Sequence, residues 1–424
     1  MTAAPTDAPR LMRIWRRRVF AGTWLAYVGY YFCRKNLPVV QPVLMRELGW
    51  TAVQLGIVVT TYQFVYSVGQ VATGLAGDRL GARLMLTLGI AATIILNALA
   101  GATAAIWGLV LLWGLNGLAQ ATGWPATVKT IAHWFRREER GSVMGWWTTN
   151  YQIGDVVGTW LTAAVIGLGI GWRWAFWAPA AALALLAIPV FRWQRNRPED
   201  VGLRPLDAQD EAATATPASE PRARAGWDEL WPVFTSLPIW GISLINAALK
   251  FAMYTFFFWI PTYLVQARAY TPQMAGFLTA FHPLGGAAGA IVAGWASDRL
   301  FGARRMPVTV IMVIALAAGV IAMPLVGANP WVLGALFALI GFSIYGPESL
   351  LSGAAAVELA PRRGTATAVG LVNAVASLGG VPAGVVGAAI AARFGWPALF
   401  HTVGAVALAS LLIAVPMWNV RGSH

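Results

Sequence analysis

Two adjacent cations, Arg34 and Lys35, lie inside an apolar run of membrane-spanning length, from about residue 19 to residue 44. A charge at the centre of a bilayer helix costs about 2.5–3.5 kcal/mol on insertion scales, so such a residue is expected to face a bundle interior or a wet cavity. Tyrosines precede Arg34 by seven, four and three residues, which places them on its helical face: Tyr27, Tyr30 and Tyr31. A cation beside several hydroxyl groups predicts a site for an anion.

Lys35 follows Arg34 by one residue, about 100° around a helix, so the two side chains cannot share one narrow face. An ion pair or a packing role for Lys35 is therefore as compatible with the sequence as contact with a ligand. Another intramembrane cation, Lys250, lies near the middle of a later apolar run, where a lysine cannot easily reach a membrane surface. We predict that Lys250 faces the same cavity as Arg34.

Two carboxylates also fall within apolar runs, Asp155 and Glu348. An unpaired carboxylate is costly to bury, so each is expected to pair with a cation or to stay protonated. One interpretation pairs them with Arg34, Lys35 or Lys250 when the cavity is empty. The other makes one of them a titrating group that couples movement of a ligand to protons.

The elements that carry these residues follow from the composition. Of the 424 residues, 58% are hydrophobic and 11% are charged, and the mean hydropathy is +0.62. A soluble protein of this length cannot bury so much apolar surface. We therefore predict an all-α integral membrane protein with twelve spans, near residues 19–44, 53–77, 84–104, 106–131, 142–168, 172–191, 237–265, 273–297, 307–327, 330–353, 364–392 and 395–418.

The formal net charge of +13 is distributed in a way that argues against a nucleic-acid partner. Most basic residues lie in segments that alternate on one side of the predicted spans, and the other side holds Arg46, Arg173, Arg268 and Arg393. This asymmetry is the positive-inside rule, and it predicts a multi-pass protein of the cell (inner) membrane with both termini in the cytoplasm.

The chain divides into two halves. We predict an N-terminal six-helix half (1–191), a polar cytoplasmic linker (192–231) and a C-terminal six-helix half (232–424). A Gly-x-x-x-Asp-Arg segment recurs after the second and eighth spans, with the charged residues Asp78, Arg79, Arg83, Asp298 and Arg299. Two homologous halves around a central site are the architecture expected of a secondary transporter. No nucleotide-binding loop, metal cluster or nucleophile–base set stands out, so neither an enzyme nor a cofactor is predicted.

The repeated segment resembles the loop motif of the major facilitator superfamily, in which the Asp and Arg side chains pair across helix ends as a gate. Further segments resemble the organophosphate:phosphate antiporter family, which includes the bacterial glycerol-3-phosphate and hexose-phosphate carriers and the animal sugar-phosphate exchangers. These segments are Tyr30-Tyr31-Phe32-Cys33-Arg34-Lys35-Asn36, Asn116-Gly-Leu-Ala-Gln-Ala-Thr-Gly-Trp-Pro125, His133-Trp-Phe135, Tyr345-Gly-Pro347 and Glu358-Leu-Ala-Pro361. The resemblance implies that Arg34 binds a substrate phosphate and that the protein is a monomer.

The sequence departs from the bacterial carriers at the second cation of the site. Met253 stands where those carriers have arginine, and Lys250, one turn earlier, resembles the lysine of the animal exchangers. An ammonium is a point charge without the planar fork that arginine offers to a phosphate. Tyr151 and Gln70 replace a His and a Lys of the glycerol-3-phosphate carrier, which weakens the transfer of that carrier's own substrate.

We therefore predict exchange of a phosphorylated organic anion for inorganic phosphate by alternating access, in a lipid bilayer. Arg34 and Lys250 would hold the phosphoryl group, and the cavity would be lined by Tyr27, Tyr30, Tyr31, Tyr151 and Tyr254. A proton-coupled symporter of an organic carboxylate, using Asp155 or Glu348, is one alternative. A transporter-like membrane receptor for a sugar phosphate is the other.

Overall fold

A computed structural model describes residues 8–204, 227–360 and 365–420, and within these ranges the chain forms helices and no strand. The predicted twelve membrane segments are confirmed. The first six are α1 Ala8–Leu48, α2 Ala52–Leu80, α3 Ala82–Ala102, α4 Ile106–Ala121 continued by Gly123–Trp134, α5 Arg137–Trp147 continued by Thr149–Gly167, and α6 Trp174–Trp193. A short helix, Trp227–Thr235, crosses the predicted boundary at residue 231, and most of the predicted linker (205–226) lies outside the described residues.

The second half repeats the pattern. Its helices are α7 Leu237–Arg268, α8 Pro272–Thr279 continued by Phe281–Arg299, α9 Arg305–Ala322, and α10 Pro330–Ser349 continued by a π-helical turn Leu350–Ala355 and Ala356–Glu358. Segment α11 comprises Thr365–Gly380, the 3₁₀ turn Val381–Ala383 and the start of the helix Val385–Ala414. That last helix breaks at Gly395, whose φ of 84° lies in the region that favours glycine, and the remainder is α12.

Seven of the described helices are long and apolar enough to cross a membrane by length and composition alone. Helix α1 is not among them, although it is 41 residues long. It buries the polar side chains of Arg34, Lys35, Asn36 and Gln41 within the bundle. Its lower apolarity therefore reflects groups that face protein rather than lipid.

The two halves pack alike, as the internal repeat predicts. In the first half α1 packs on α5, α2 on α4 and α3 on α6, and the second half pairs the corresponding helices α7 with α11, α8 with α10 and α9 with α12. Small residues permit the closest of these approaches. Gly285 and Gly289 of α8 leave no room for a Cβ against the backbone of Ala338 and Phe342 of α10.

The halves are joined by hydrogen bonds at the end of the bundle opposite the chain termini. Thr60 of α2 donates its hydroxyl to the carbonyl of Val381 (3.3 Å) and accepts from the backbone N–H of Val385 (2.8 Å). Near the same end Thr262 donates to Gln41 Oε1 (3.4 Å). Two further bonds join the halves on this side, from Trp160 to the carbonyl of Phe277 (3.5 Å) and from Gln266 to the sulfur of Met45 (3.5 Å).

Thr60 thereby completes a helix of the other half. The break in α11 after Ala383 leaves the N–H of Val385 without a helical partner, and the carbonyl of Val381 accepts only a long bond from the N–H of Gly384 (3.4 Å). Such groups are costly to leave poorly paired in a bilayer. Thr60 satisfies both, while Trp259 of α7 donates its indole N–H to the carbonyl of Ala383 (2.7 Å). The bundle is thus closed at this end by bonds that vanish when the halves separate there.

We expect Thr60→Val to weaken closure at this end, because each hydrogen bond it removes contributes about 0.5–1.5 kcal/mol. The measurement is disulfide formation between cysteines placed at Gln41 and Thr262, which face each other across the same contact. The cross-linked fraction is expected to fall in Thr60→Val and to match the parent in Thr60→Ser, which keeps the hydroxyl. Equal cross-linking in the valine and serine variants would contradict this role.

Candidate functional site

Arg34 lies in the middle of α1 with its side chain buried (7% exposed) among aromatic rings. Its guanidinium carbon is 4.9 Å from the ring centroids of Tyr31 and Tyr66 and 5.7 Å from that of Tyr62. Its Nε donates a hydrogen bond to Gln120 Oε1 at 2.9 Å. Aromatic faces and a neutral amide therefore surround this charge, with contributions from α1, α2 and α4.

A series of buried amides fixes Gln120. Its Oε1 accepts from Tyr62 as well as from Arg34, both at 2.9 Å, and its Nε2 donates to the carbonyl of Cys33 (3.3 Å). Asn116 also donates to that carbonyl, at 3.1 Å. Because the oxygen and nitrogen of Gln120 are both engaged, the amide cannot rotate without losing bonds, and it holds the guanidinium in one orientation.

The outer side of the guanidinium remains free to bind. Arg34 Nη2 is buried without a hydrogen-bond partner, and no carboxylate in the described part of the chain forms an ion pair with Arg34. A buried charged donor without a partner is costly. A planar guanidinium with free N–H groups suits the paired oxygens of a phosphoryl or carboxylate group.

The Lys35 side chain has different surroundings from Arg34, and an ion pair within the first half neutralises its charge. Its Nζ is 3.0 Å from Asp155 Oδ1 of α5, and the two side chains are 5% and 3% exposed. Thr159 donates to the same oxygen at 3.4 Å. The ammonium also lies 3.4 Å from the ring centroid of Phe257, a residue of α7, so the pair sits where the halves meet.

Lys250 and Glu348 form an ion pair in the second half, between α7 and α10. Lys250 Nζ is 2.8 Å from Glu348 Oε1, and the side chains are 15% and 19% exposed. Of the two interpretations of the intramembrane carboxylates, the structure therefore supports pairing with cations. It joins Asp155 to Lys35 and Glu348 to Lys250, a choice that the sequence leaves open.

The predicted tyrosines occupy different surroundings. Tyr31 is half-buried against Arg34 and, like Tyr151 and Tyr254, it is accessible enough to meet a ligand. Tyr27 is buried, and its ring packs against those of Tyr30, Trp147 and Tyr151. Tyr30 is buried with its hydroxyl 3.2 Å from that of Thr122. Ligand contact by these tyrosines stays a prediction, and the contact with Arg34 is made by Tyr31.

Sequence reasoning missed the contribution of α2. Tyr62 and Tyr66 are four residues apart, their rings are stacked with centroids 5.9 Å apart, and both face Arg34. Their spacing of one helical turn is a signal, but a tyrosine pair in an apolar helix is as typical of lipid-interface packing. Gln120 lies within a segment that carries the family resemblance, where nothing distinguishes it as the partner of Arg34.

The predicted gating residues are partly outside the described structure. The side chains of Asp78 and Arg79 are not among those described. Arg83 is exposed, and its backbone N–H donates to Asn196 Oδ1 (2.8 Å). In the second half Asp298 pairs with Arg305 at the start of α9 (2.5 Å), and Arg305 also pairs with Glu358 of α10 (2.6 Å), while Arg299 is exposed.

Twelve helices in two repeated halves, with charged groups held between them near mid-bundle, define a membrane transporter of the secondary type. The model of the Major Facilitator Superfamily matches residues 23–384 and 270–421. The chain belongs to this superfamily, which is one of transporters rather than enzymes. The fold is also that of a solved structure: an inward-facing bacterial homolog of the human lysosomal transporter Spinster superposes with a TM-score of 0.76 at 15% identity, covering 95% of each chain.

Curated relatives confirm the predicted resemblance to organophosphate carriers. The chain is 29% identical to the probable hexose phosphate transport protein of Chlamydia pneumoniae, covering 96% of this chain and 92% of the relative. It is 29% identical to the glycerol-3-phosphate transporter of Bacillus subtilis, with 96% and 94% covered. It is also 28% identical to the membrane sensor protein UhpC of Escherichia coli, with 99% and 98% covered.

We expect Asp155→Ala to destabilise the protein by about 3–5 kcal/mol, because it leaves the Lys35 ammonium buried without its counter-ion. Thermal unfolding of the purified protein in detergent measures this effect. Replacing both members, Lys35→Met with Asp155→Ala, is expected to recover most of the lost stability. The matched control is Glu47→Ala, which removes the solvent-exposed pair between Arg46 and Glu47 and should leave the unfolding temperature unchanged. If Asp155→Ala is as stable as the double variant, Asp155 is not the counter-ion that Lys35 requires.

Proposed function

We propose that the protein exchanges a phosphorylated organic anion for inorganic phosphate across the cell (inner) membrane, as a monomer with both termini in the cytoplasm. The observation that carries the proposal is the unpaired outer side of Arg34, buried in mid-bundle and oriented by Gln120. The relatives named as hexose phosphate and glycerol-3-phosphate transporters supply the ligand class. With the termini cytoplasmic, the hydrogen-bonded end of the bundle is periplasmic.

In this proposal the phosphoryl oxygens bind the free N–H groups of Arg34, and Lys250 approaches from the second half. Tyr66 lies against Arg34 and within electrostatic range of Lys250, which supports a shared binding space. Tyr31 and Tyr254 add hydroxyl groups from α1 and α7. A ligand held by both halves draws them together and favours the occluded state through which both substrates pass.

The ion pair between Lys250 and Glu348 changes the explanation of obligate exchange. From the sequence, we expect repulsion between two bare cations to hinder passage of the empty carrier. With Lys250 paired, the hindrance lies instead in Arg34, whose buried charge has no counter-ion unless an anion is bound. Closing both ends around that uncompensated charge is costly, and the bound anion removes the cost.

The similarity to a membrane sensor protein keeps a receptor function as a second candidate. A receptor binds its ligand without catalysing net exchange, so turnover separates the two functions.

A proton-coupled symporter differs from the proposed antiporter in its driving force, because it takes up its substrate along a proton gradient with no phosphate inside. Both intramembrane carboxylates are ion-paired, an arrangement that accounts for them without a role in proton transfer.

The test is phosphate exchange in liposomes that contain the purified protein and are preloaded with unlabelled phosphate. Labelled phosphate added outside is expected to enter only when phosphate is present inside, with or without a proton gradient. Arg34→Ala is expected to reduce the exchange rate about 100-fold or more, since a charged hydrogen-bonded partner contributes several kcal/mol to binding. Arg34→Lys should recover little of the loss, because lysine lacks the planar fork.

Arg46→Ala is the matched control, because Arg46 is an exposed arginine near the end of the same helix. It should exchange phosphate at the parent rate. Parent-level exchange in a folded Arg34→Ala protein would exclude the assigned site. Binding of a sugar phosphate without any exchange would favour the receptor.

A further inference from the structure

The charges of the described ionised side chains between the two halves do not sum to zero. Lys35 and Asp155 neutralise each other and are almost fully buried. Lys250 and Glu348 also neutralise each other, but they are several times more exposed. Arg34 has no carboxylate partner among the described side chains. The described site therefore holds two cations and one carboxylate that a ligand can meet, and it lacks one negative charge.

Glu348 lies beside residues that are predicted to meet the ligand. Its Oε1 is 2.8 Å from Lys250 Nζ of α7. Tyr151 of α5, in the first half, is within electrostatic range of the Glu348 carboxylate. Further titratable groups around the pair are Tyr345 of its own helix, Tyr254 beside Lys250, and Tyr66 of the first half. Tyr151 also packs on Tyr31, the residue against Arg34, so this pair of rings connects the surroundings of Glu348 with those of Arg34.

A ligand with one negative charge fills this deficit, whereas a ligand with two leaves an excess anion in a region of low dielectric constant. Uncompensated charge is expensive there, by several kcal/mol per ion. A doubly charged phosphate would have to bring a proton, either on itself or onto Glu348. In both cases the ligand and its proton together add one net negative charge to the site.

We propose that Glu348 determines the charge of the transported ligand, so that the site accepts a singly charged tetrahedral anion. This inference rests on the proposed function and adds a specificity-determining residue to it. The ligand is then a monoanion, either dihydrogen phosphate or a phosphate monoester that keeps one proton. Removing the carboxylate leaves two cations, and the site then prefers a doubly charged anion.

The sign of the pH dependence follows. The second ionisation of a phosphate monoester has a pKa of about 6, and above it the singly charged form falls about tenfold per pH unit. In the parent protein the affinity for phosphate therefore falls as the pH rises above the second ionisation of the ligand. In Glu348→Gln the affinity rises over the same range and then levels off.

Fixed-charge anions separate the charge of the ligand from titration of the protein. We would measure binding to the purified protein by calorimetry, between pH 6 and pH 8.5, with methyl sulfate, inorganic sulfate and inorganic phosphate. The parent is expected to bind methyl sulfate, a permanent monoanion, with little dependence on pH, and to bind the doubly charged sulfate weakly. Glu348→Gln is expected to improve sulfate binding at least tenfold relative to methyl sulfate.

Two further variants test whether charge is the cause. The double variant Lys250→Met with Glu348→Leu removes one cation and one carboxylate, so Arg34 is again the one uncompensated cation of the described site. It should therefore prefer methyl sulfate to sulfate, as the parent does. This variant remains informative if Glu348→Gln folds poorly. Glu47→Gln, at an exposed carboxylate of α1, is the matched control and should leave every preference unchanged.

An unchanged ratio of sulfate to methyl sulfate affinity in Glu348→Gln, with phosphate still bound and exchanged, would overturn the role of Glu348 and leave the proposed function standing. A sulfate preference in the double variant would also overturn it, because that variant has the parent's charge. Failure of the folded parent to bind phosphate at any pH would overturn both the proposed function and this inference.

Discussion

The cost of an unbalanced charge in a low-dielectric interior governs the arrangement of this bundle. Three cations lie in mid-membrane on α1 and α7, and the chain treats them in two ways. Lys35 and Lys250 each have a carboxylate from the same half. Arg34 has rings and a neutral amide instead, which orient it without cancelling its charge. Among the described side chains Arg34 is thus left without a counter-ion, as the proposed anion site requires.

Neutral hydrogen-bond and aromatic partners orient Arg34 without occupying the position of the proposed anion. A carboxylate on Arg34 would compete with the proposed anionic ligand, whereas Gln120 engages only Nε and leaves Nη2 available. The cation–π contacts stabilise the empty state modestly, by about 0.5–2 kcal/mol each, so an anion can still add a favourable interaction. The bonds that hold Gln120 come from α1 and α2, and they make the position of Arg34 a property of the first half alone.

Much of this arrangement is predictable from the sequence, because hydropathy exposes a charge inside an apolar run. Arg34, Lys250, Asp155 and Glu348 are found in that way, and the internal repeat predicts the two halves. The partners are not predictable, since the pairing of α1 with α5 and of α7 with α10 depends on how helices turn against each other. Periodicity also placed Tyr27 and Tyr30 on the face of Arg34, yet they lie one or two turns along the helix, where Trp147 and Thr122 contact them.

The break in α11 connects the site to the closed end of the bundle. Gly380, just before the break, lies against the ring of Tyr254, one turn beyond Lys250. The turn that follows is bonded to Trp259 of α7 and to Thr60 of the first half. Tyr254 stacks on Phe258 as well, so any shift of α7 would move the surface on which the break rests. Because the same few residues of α11 contact the ligand-facing helix and carry the bonds to the first half, binding and separation of the halves act on one structural element. A continuous helix at this position would have no free backbone groups to offer Thr60, and the two halves would then meet there through side-chain packing alone.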